Sequence, residues 1–228
     1  PWVKKWDNQQ SKVVYHHPHR NKTVLTVADA QASQKVGIRD NWESSGKMGE
    51  DTNKLFLVAP TSFEFMTVLT EFDKTLSYKT IDTIHRVENG YQEEAYNVAL
   101  AGIKKTIGVS FDATTMQRTL FHGSKAIDLI VNSPTAGFLP LLAGTSTGAA
   151  YGNGSYFARD ASYSDDYSLR LSNGQRQMLV VEVVTGRSTR GKAGMKAYPL
   201  IPGEKYKRFD SLVNRVQHPT IFVVQHTS

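Results

Sequence analysis

An α+β fold is predicted for this chain, and three observations predict it. Short β-branched runs and longer amphipathic stretches are interleaved, but without the regular strand–helix–strand alternation of a doubly wound parallel sheet. The clearest strands, QMLVVEVV at 177–184 and TIFVVQH at 220–226, fall late, whereas the longest helical patterns come before residue 110. With 228 residues, 39% of them hydrophobic and 21% charged, the chain has the size and balance of one globular domain with room for an extra arm.

Residues 1–53 read as that arm, or as the end of a preceding region, and 54–228 as the main domain. The arm is polar, with Trp2, Trp6 and Trp42 well spaced and strand composition at KVVY and KTVLTV. ESSGKMGEDTN (43–53) reads as a loop. YHHPHR (15–20) places three histidines in four positions, but Pro18 interrupts them and no acid or cysteine lies nearby. A metal site and a solvated strand-edge loop are the two readings, and no metal is assigned.

From residue 54 the pattern sharpens. LFLVAP is a short apolar run ending at Pro60. In TSFEFMTVLTEFDKTL, Thr61 and Glu64 stand at capping-box spacing, with Phe65, Leu69, Phe72 and Leu76 on one helical face. TIDTIHRVEN suits a half-exposed strand. QEEAYNVALAGIKKTIG suits a second helix, acids in its first turn and lysines in its last. A strand at RTLFH, a short helix at KAIDLIVN, and a Gly/Thr/Ser/Ala-rich stretch at 133–154 follow. SYFA reads as a strand, SYSDDYSL as a helical turn with Ser162 as N-cap, and 187–208 as a basic loop before the last strand.

The chain has no cysteine, which removes disulfides, thiolate nucleophiles and cysteine-ligated zinc. No apolar run approaches the roughly 18 residues of a membrane span, so no membrane partner is expected. The charge of +6 favours anionic partners. Residue 1 is Pro, which suggests an excised piece, and cytoplasm or nucleus is the expected location. Nothing speaks to oligomeric state.

Chemistry-bearing residues concentrate in LFHGS, YGNGSYFA and DASYSDDY, between 120 and 167. Gly123 permits close backbone approach, so its N–H and C=O can offer a donor and an acceptor to a planar amide. Tyr156, Tyr163 and Tyr167 supply aromatic faces, Ser164 a hydroxyl, and Gly152 and Gly154 would let a loop swing or press on a ligand. A flat, carboxamide-bearing aromatic suits that set; a tyrosine-rich core turn is the other reading.

HGS, GNGSYFA and ASYSDDY, in that order, resemble the catalytic domain of the poly(ADP-ribose) polymerase superfamily, the diphtheria-toxin-like ADP-ribosyltransferases. FEFMTVLTEFDKTL and TIDTIHRVEN are similar to its first helix and following strand, and MLVVEVVTG, FDSLVN and HPTIFVV extend the likeness over about residues 54–225. The resemblance implies an ADP-ribosyltransferase fold: a split, mainly antiparallel sheet flanked by helices. It implies a glycosyltransferase that consumes NAD as co-substrate and needs no further cofactor. His122 would hold a ribose hydroxyl, Gly123 and Ser164 the nicotinamide carboxamide, and Ser124 would lie near the adenosine ribose. Tyr156 and Tyr167 would sandwich the nicotinamide ring, and Phe157 and Ala158 would complete the donor-binding run. The stretch 133–154 would cover the donor, although Leu139, after Gly137-Phe138, stands where the family often has a polar or basic residue.

The third catalytic position falls on Ile221, where polymerising members carry a glutamate. Isoleucine neither accepts a hydrogen bond nor acts as a base, and Thr220 or Phe222 would supply no base either if the register slipped by one. The resemblance therefore implies transfer of a single ADP-ribose to a protein acceptor, the chain itself or another protein. His218 and His226 match no catalytic position. Seven cations between Arg187 and Arg208, against the one acid Glu204, would border the acceptor side. An acidic protein segment or a nucleic-acid end would suit them, as would no partner at all. The other function classes left open are a binding module with a silent site and an NAD glycohydrolase. The likeness also implies a further extended segment after the last strand, where this chain stops at HTS.

Overall fold

A computed structural model describes residues 3–7, 12–17, 22–24, 42, 53–132, 137–139 and 149–226. The chain forms two compact units, Pro1–Glu88 and Asn89–Ser228, whereas the sequence reading set its boundary at 53/54.

The first unit opens with an antiparallel three-stranded sheet, β1 (Val3–Asp7), β2 (Lys12–His17) and β3 (Lys22–Val24), paired in that order. The strands expected at KVVY and KTVLTV fall on β2 and β3; what was expected at 18–19, 25–27 and 43–52 lies outside the described residues. The metal reading rests on side chains that also lie outside them. Next come β4 (Asn53–Leu57), α1 (Phe63–Leu76) and β5 (His85–Asn89), with β4 and β5 paired.

Ser62, not Thr61, caps α1: its backbone is extended and its Oγ accepts from Phe65 N at 3.1 Å. That one-residue shift places Glu64 outside capping-box geometry and into an ion pair with Arg86. Arg86 Nη1 reaches Glu64 Oε2 at 2.6 Å while its Nε donates to Glu88 Oε1 at 2.9 Å. Glu88 is fully buried, so this one guanidinium compensates two carboxylates that burial would otherwise leave costly. The strand expected over 80–89 is shorter, His85–Asn89, and is preceded by a single backbone bond from Val58 N to Ile84 O at 2.8 Å.

The second unit is built on a six-stranded sheet in the order β8-β6-β7-β11-β10-β9. Its strands are β6 (Gln117–His122), β7 (Ser155–Ala158), β8 (Leu179–Val184), β9 (Ser188–Arg190), β10 (Ser211–Val213) and β11 (Ile221–Val224). All neighbours are antiparallel except β9 with β10. Strand β9 lies inside the stretch read as a basic loop; it pairs only through β10, a non-local contact with no local signal.

Both faces of this sheet are covered. Leu120, Phe157, Phe222, Val213 and Val224 pack with Phe138 on one face; Leu212 and Val223 pack with Tyr198, Tyr151 and Met195 on the other. Alternation along β7 and β11 sends neighbouring residues to opposite sides, which is why near-continuous apolar runs were the correct strand signal.

Helix α2 (Gly90–Ile107) is capped by Asn89, whose Oδ1 accepts from Tyr91 N and Gln92 N, and ends at Gly108 in a left-handed conformation. It packs on β8 and is tied to β6 by Gln117 Nε2 donating to Tyr96 Oη at 2.7 Å. The short helices α3 (Ala113–Met116), α4 (Ile127–Asn132) and α5 (Ala161–Asp165) follow. The N-cap position of α5 is Asp160, not Ser162, and makes no side-chain cap bond. No helix among the described residues is long and apolar enough to cross a membrane.

Replacing Arg86 by Met should leave two carboxylates buried without their shared cation and destabilise the first unit by about 3 kcal/mol. Chemical denaturation of the variant beside wild type reads the loss; an unchanged midpoint would show the triad to be idle.

Candidate active site

The site grows from the place where the sheet stops pairing. Strands β6 and β7 share a single bridge, Phe121 with Ala158. Continued by two residues, the ladder would pair Gly123 with Tyr156. Instead His122 Nδ1 meets the Tyr156 carbonyl at 2.7 Å. A carbonyl only accepts, so Nδ1 carries the hydrogen and the neutral ring keeps a lone pair on Nε2. Burial lowers the His122 pKa below 6.5, only partly opposed by that bond, so the ring is neutral at physiological pH.

Because the imidazole takes the Tyr156 carbonyl, the Gly123 backbone is left unused. Among the described residues neither its N–H nor its C=O has a partner. Glycine is required there: a Cβ would fall 1.8 Å from Ser164 O. The absence of a side chain thus brings Gly123 against Ser164, which is buried in α5.

The His122 ring is wedged by Phe138, edge-on at 5.1 Å, and by Phe157 at 5.5 Å, with these two rings in mutual contact at 4.9 Å. Phe138 is the residue that the sequence reading undervalued. Its signal was only the Gly-Phe pair in a low-complexity stretch, and nothing local says that it reaches His122. Phe157 and Ala158, expected in the donor-binding run, are almost fully buried, Phe157 against His122 and Ala158 opposite Ile221.

Tyr156 is pinned by its hydroxyl, which donates to Gly152 O at 2.7 Å and accepts from Tyr151 N at 3.0 Å. Burial raises its pKa, as it does that of Tyr163. Tyr163 and Tyr167 lie with ring centroids 5.2 Å apart and hydroxyls 3.3 Å apart. Tyr167 is close enough to raise the cost of ionising both Tyr156 and Tyr163.

Gly152 and Gly154, expected to let a loop swing or press on a ligand, are closely packed. At Gly152, with φ of +105°, a Cβ would stand 2.6 Å from Leu212 Cδ1, and at Gly154 one would stand 2.6 Å from Val224 O. Both are close-packed anchors that hold Tyr156 against the sheet. Ser124 Oγ accepts from Ala126 N at 3.0 Å, which leaves its hydrogen to donate. Leu139 is exposed; of the covering stretch, 133–136 and 140–148 lie outside the described residues.

Ile221 opens β11 and is buried across from Ala158. Asn214, unnoticed in the sequence, clamps this point: its Oδ1 accepts from Thr220 N and Ile221 N at 3.1 and 3.2 Å. No ionisable side chain occupies position 221.

Residues 62–216 match the family model described as poly(ADP-ribose) polymerase catalytic domain. The chain belongs to this family. Its α+β sheet, with His122, Tyr156 and Ile221 on the neighbouring strands β6, β7 and β11, is the family's ADP-ribosyltransferase fold. Relatives include human protein mono-ADP-ribosyltransferase PARP12, 34% identical over 204 residues (89% of this chain, 28% of the relative), and human PARP14, 29% identical over 224 residues (93% and 12%). Mouse protein mono-ADP-ribosyltransferase PARP10 is 29% identical over 188 residues (78% and 18%). The chain therefore spans less than a third of the length of each of these relatives.

Substituting Gly123 by Ala forces the β6 end away from Ser164 O and should cost about 2 kcal/mol by overpacking. A thermal melt checks it. A variant as stable as wild type would mean that the two segments are not held at this separation.

Proposed function

We propose that this chain transfers a single ADP-ribose from NAD to a protein acceptor, itself included, and releases nicotinamide. The observation that carries the reading is the unused donor–acceptor pair on Gly123, set against Ser164 beside two tyrosine faces. A primary carboxamide offers one acceptor and one donor in a plane, so it matches a backbone N–H and C=O presented together. The Ser164 hydroxyl adds to that grip. Tyr156 and Tyr167 hold the pyridinium ring between their faces; Nε2 of His122 accepts from a ribose hydroxyl and fixes the sugar. Ser124 donates to the adenosine ribose.

In the reaction the bond between ribose C1′ and the nicotinamide nitrogen breaks, its electron pair leaving with nicotinamide. The oxocarbenium-like ribose is then attacked by the acceptor nucleophile; a hydroxyl or amine gives up its proton to solvent, whereas a carboxylate has none to lose. The protein contributes positioning and a dry, shaped site more than proton transfer. Ile221 supplies no base to activate a sugar hydroxyl for a second round, which supports transfer of one unit; the mono-ADP-ribosyltransferase names of the relatives support the same reading. An acidic acceptor brings the negative charge that position 221 lacks. NAD is consumed as co-substrate, and the cytoplasm or nucleus is the compartment that suits the cysteine-free chain.

Mass spectrometry after incubation with NAD should find single ADP-ribose additions on the wild type. They should fall by about 100-fold or more in His122→Ala, which loses a preorganised polar contact. Ile221→Val should retain activity within about threefold, since it keeps the apolar character of the position and costs only about 1 kcal/mol of stability. Chains of ADP-ribose on the wild type would refute the single-unit reading, and free ADP-ribose without protein label would favour glycohydrolysis.

The lowered pKa of His122 sets the sign of the pH dependence. Protonation would remove the Nε2 lone pair, and it occurs only below 6.5. NAD affinity measured by calorimetry should be flat from neutral pH down to 6.5 and fall at more acidic pH. A loss beginning above 6.5 would contradict the assigned neutral ring.

A further inference from the structure

The seven cations between Arg187 and Arg208 are not equivalent. Arg187 Nε is bound to Asp210 Oδ2 at 2.9 Å, Lys207 to Glu204 at 3.2 Å, and Arg208 Nη1 to Tyr198 O. Arg190 has no such commitment. It ends β9 and pairs through the backbone with Val213, where β10 leads into the turn that returns as β11. Between Arg190 and that turn opens a cleft of about 810 Å³, lined by Arg190, Arg215, Val216, Gln217 and His218.

The cleft contains no carboxylate, and among the described residues neither Arg190 nor Arg215 takes part in an ion pair. Two unopposed guanidiniums in one concavity repel each other unless an anion joins them. The turn that carries one of them is held in shape. Arg215 Nε donates to His218 O at 2.9 Å, and Asn214 Nδ2 donates to Thr220 Oγ1 at 2.8 Å while its Oδ1 takes two backbone amides. His218 lies in the left-handed region at φ of 49°, a conformation held by these bonds around it. A site built in advance loses little ordering entropy when its ligand arrives.

We propose that this cleft binds a phosphomonoester on the protein acceptor, which rests on the transferase reading above and adds a substrate preference to it. A phosphate dianion carries enough charge for both arginines and three oxygens for their planar forks, whereas one carboxylate neutralises only one of them. Gln217 and the His218 ring add hydrogen-bonding atoms, and exposed Val216 forms an apolar wall for a neighbouring residue. From His218 the chain needs three residues to reach Ile221, opposite Ala158 on the strand of Tyr156. A phosphorylated segment held here lies beside the turn that enters β11 at Ile221.

The test is fluorescence anisotropy with a short labelled alanine–glycine peptide carrying one phosphoserine, beside its serine and glutamate counterparts and a 5′-phosphorylated RNA oligonucleotide. The phosphopeptide should bind about tenfold tighter than the serine peptide, and Arg190→Gln or Arg215→Gln should each weaken it about fivefold or more, the scale of a charge-assisted hydrogen bond. Lys192→Gln, outside the cleft lining, should leave it within about twofold, and Arg190→Gln should leave NAD affinity unchanged. Equal binding of the three peptides, no effect of Arg190→Gln, or a preference for the RNA would overturn the proposal. NAD turnover measured on the same samples separates the two readings: turnover without phosphopeptide preference sinks the cleft assignment alone, and phosphopeptide preference without turnover sinks the transferase reading.

Discussion

The geometry of the site depends on one hydrogen bond, from His122 Nδ1 to the carbonyl of Tyr156 at 2.7 Å. It sits where an antiparallel ladder would otherwise continue. By giving the Tyr156 carbonyl to a side chain, the fold satisfies a backbone group that burial would make costly. At the same time it fixes the imidazole tautomer and leaves the Gly123 amide and carbonyl unspent. A fully paired sheet would have consumed the same groups.

The surroundings keep that bond in place by close packing. Phe138 and Phe157 fix the imidazole plane, while Gly152, Gly154 and Gly123 each occupy a position where even a methyl group would collide. Glycine here buys proximity, not motion. Neighbours along β7 go to different cores: Tyr156 packs with Tyr198, Leu212 and Val223, whereas Phe157 packs with Leu120 and Phe222 beside the histidine.

The end of the sheet around Ile221 has a different character. Ile221 is buried at the start of β11, and the adjacent turn is organised by Asn214 and Arg215 through backbone contacts. Net charge of +6 gave no hint of how these cations divide. Paired with Asp210, Glu204 or a carbonyl, Arg187, Lys207 and Arg208 stabilise the loop; Arg215 binds the His218 carbonyl through Nε, and neither it nor Arg190 pairs with a carboxylate among the described residues. Surface charge counts treat them alike because composition carries no information about partners distant in sequence.

The amino-acid sequence by itself determined the α+β class, the two long helices, the four strands with strong β-branched runs and the membership signalled by HGS, GNGSYFA and ASYSDDY. These are local properties: periodicity, propensity and short motifs act within a few residues. Local rules missed the α1 cap by one residue, because Ser62 and Thr61 are equally good caps and Arg86 decides which register lets Glu64 reach it. They missed β9, which exists only through β10, and the support that Phe138 gives His122. They also gave no sign of how deeply Phe157 and Ala158 are buried. Only the tertiary structure decided which backbone groups stay unpaired and which cations stay free, because each depends on a competitor for the same hydrogen bond that lies far away along the chain.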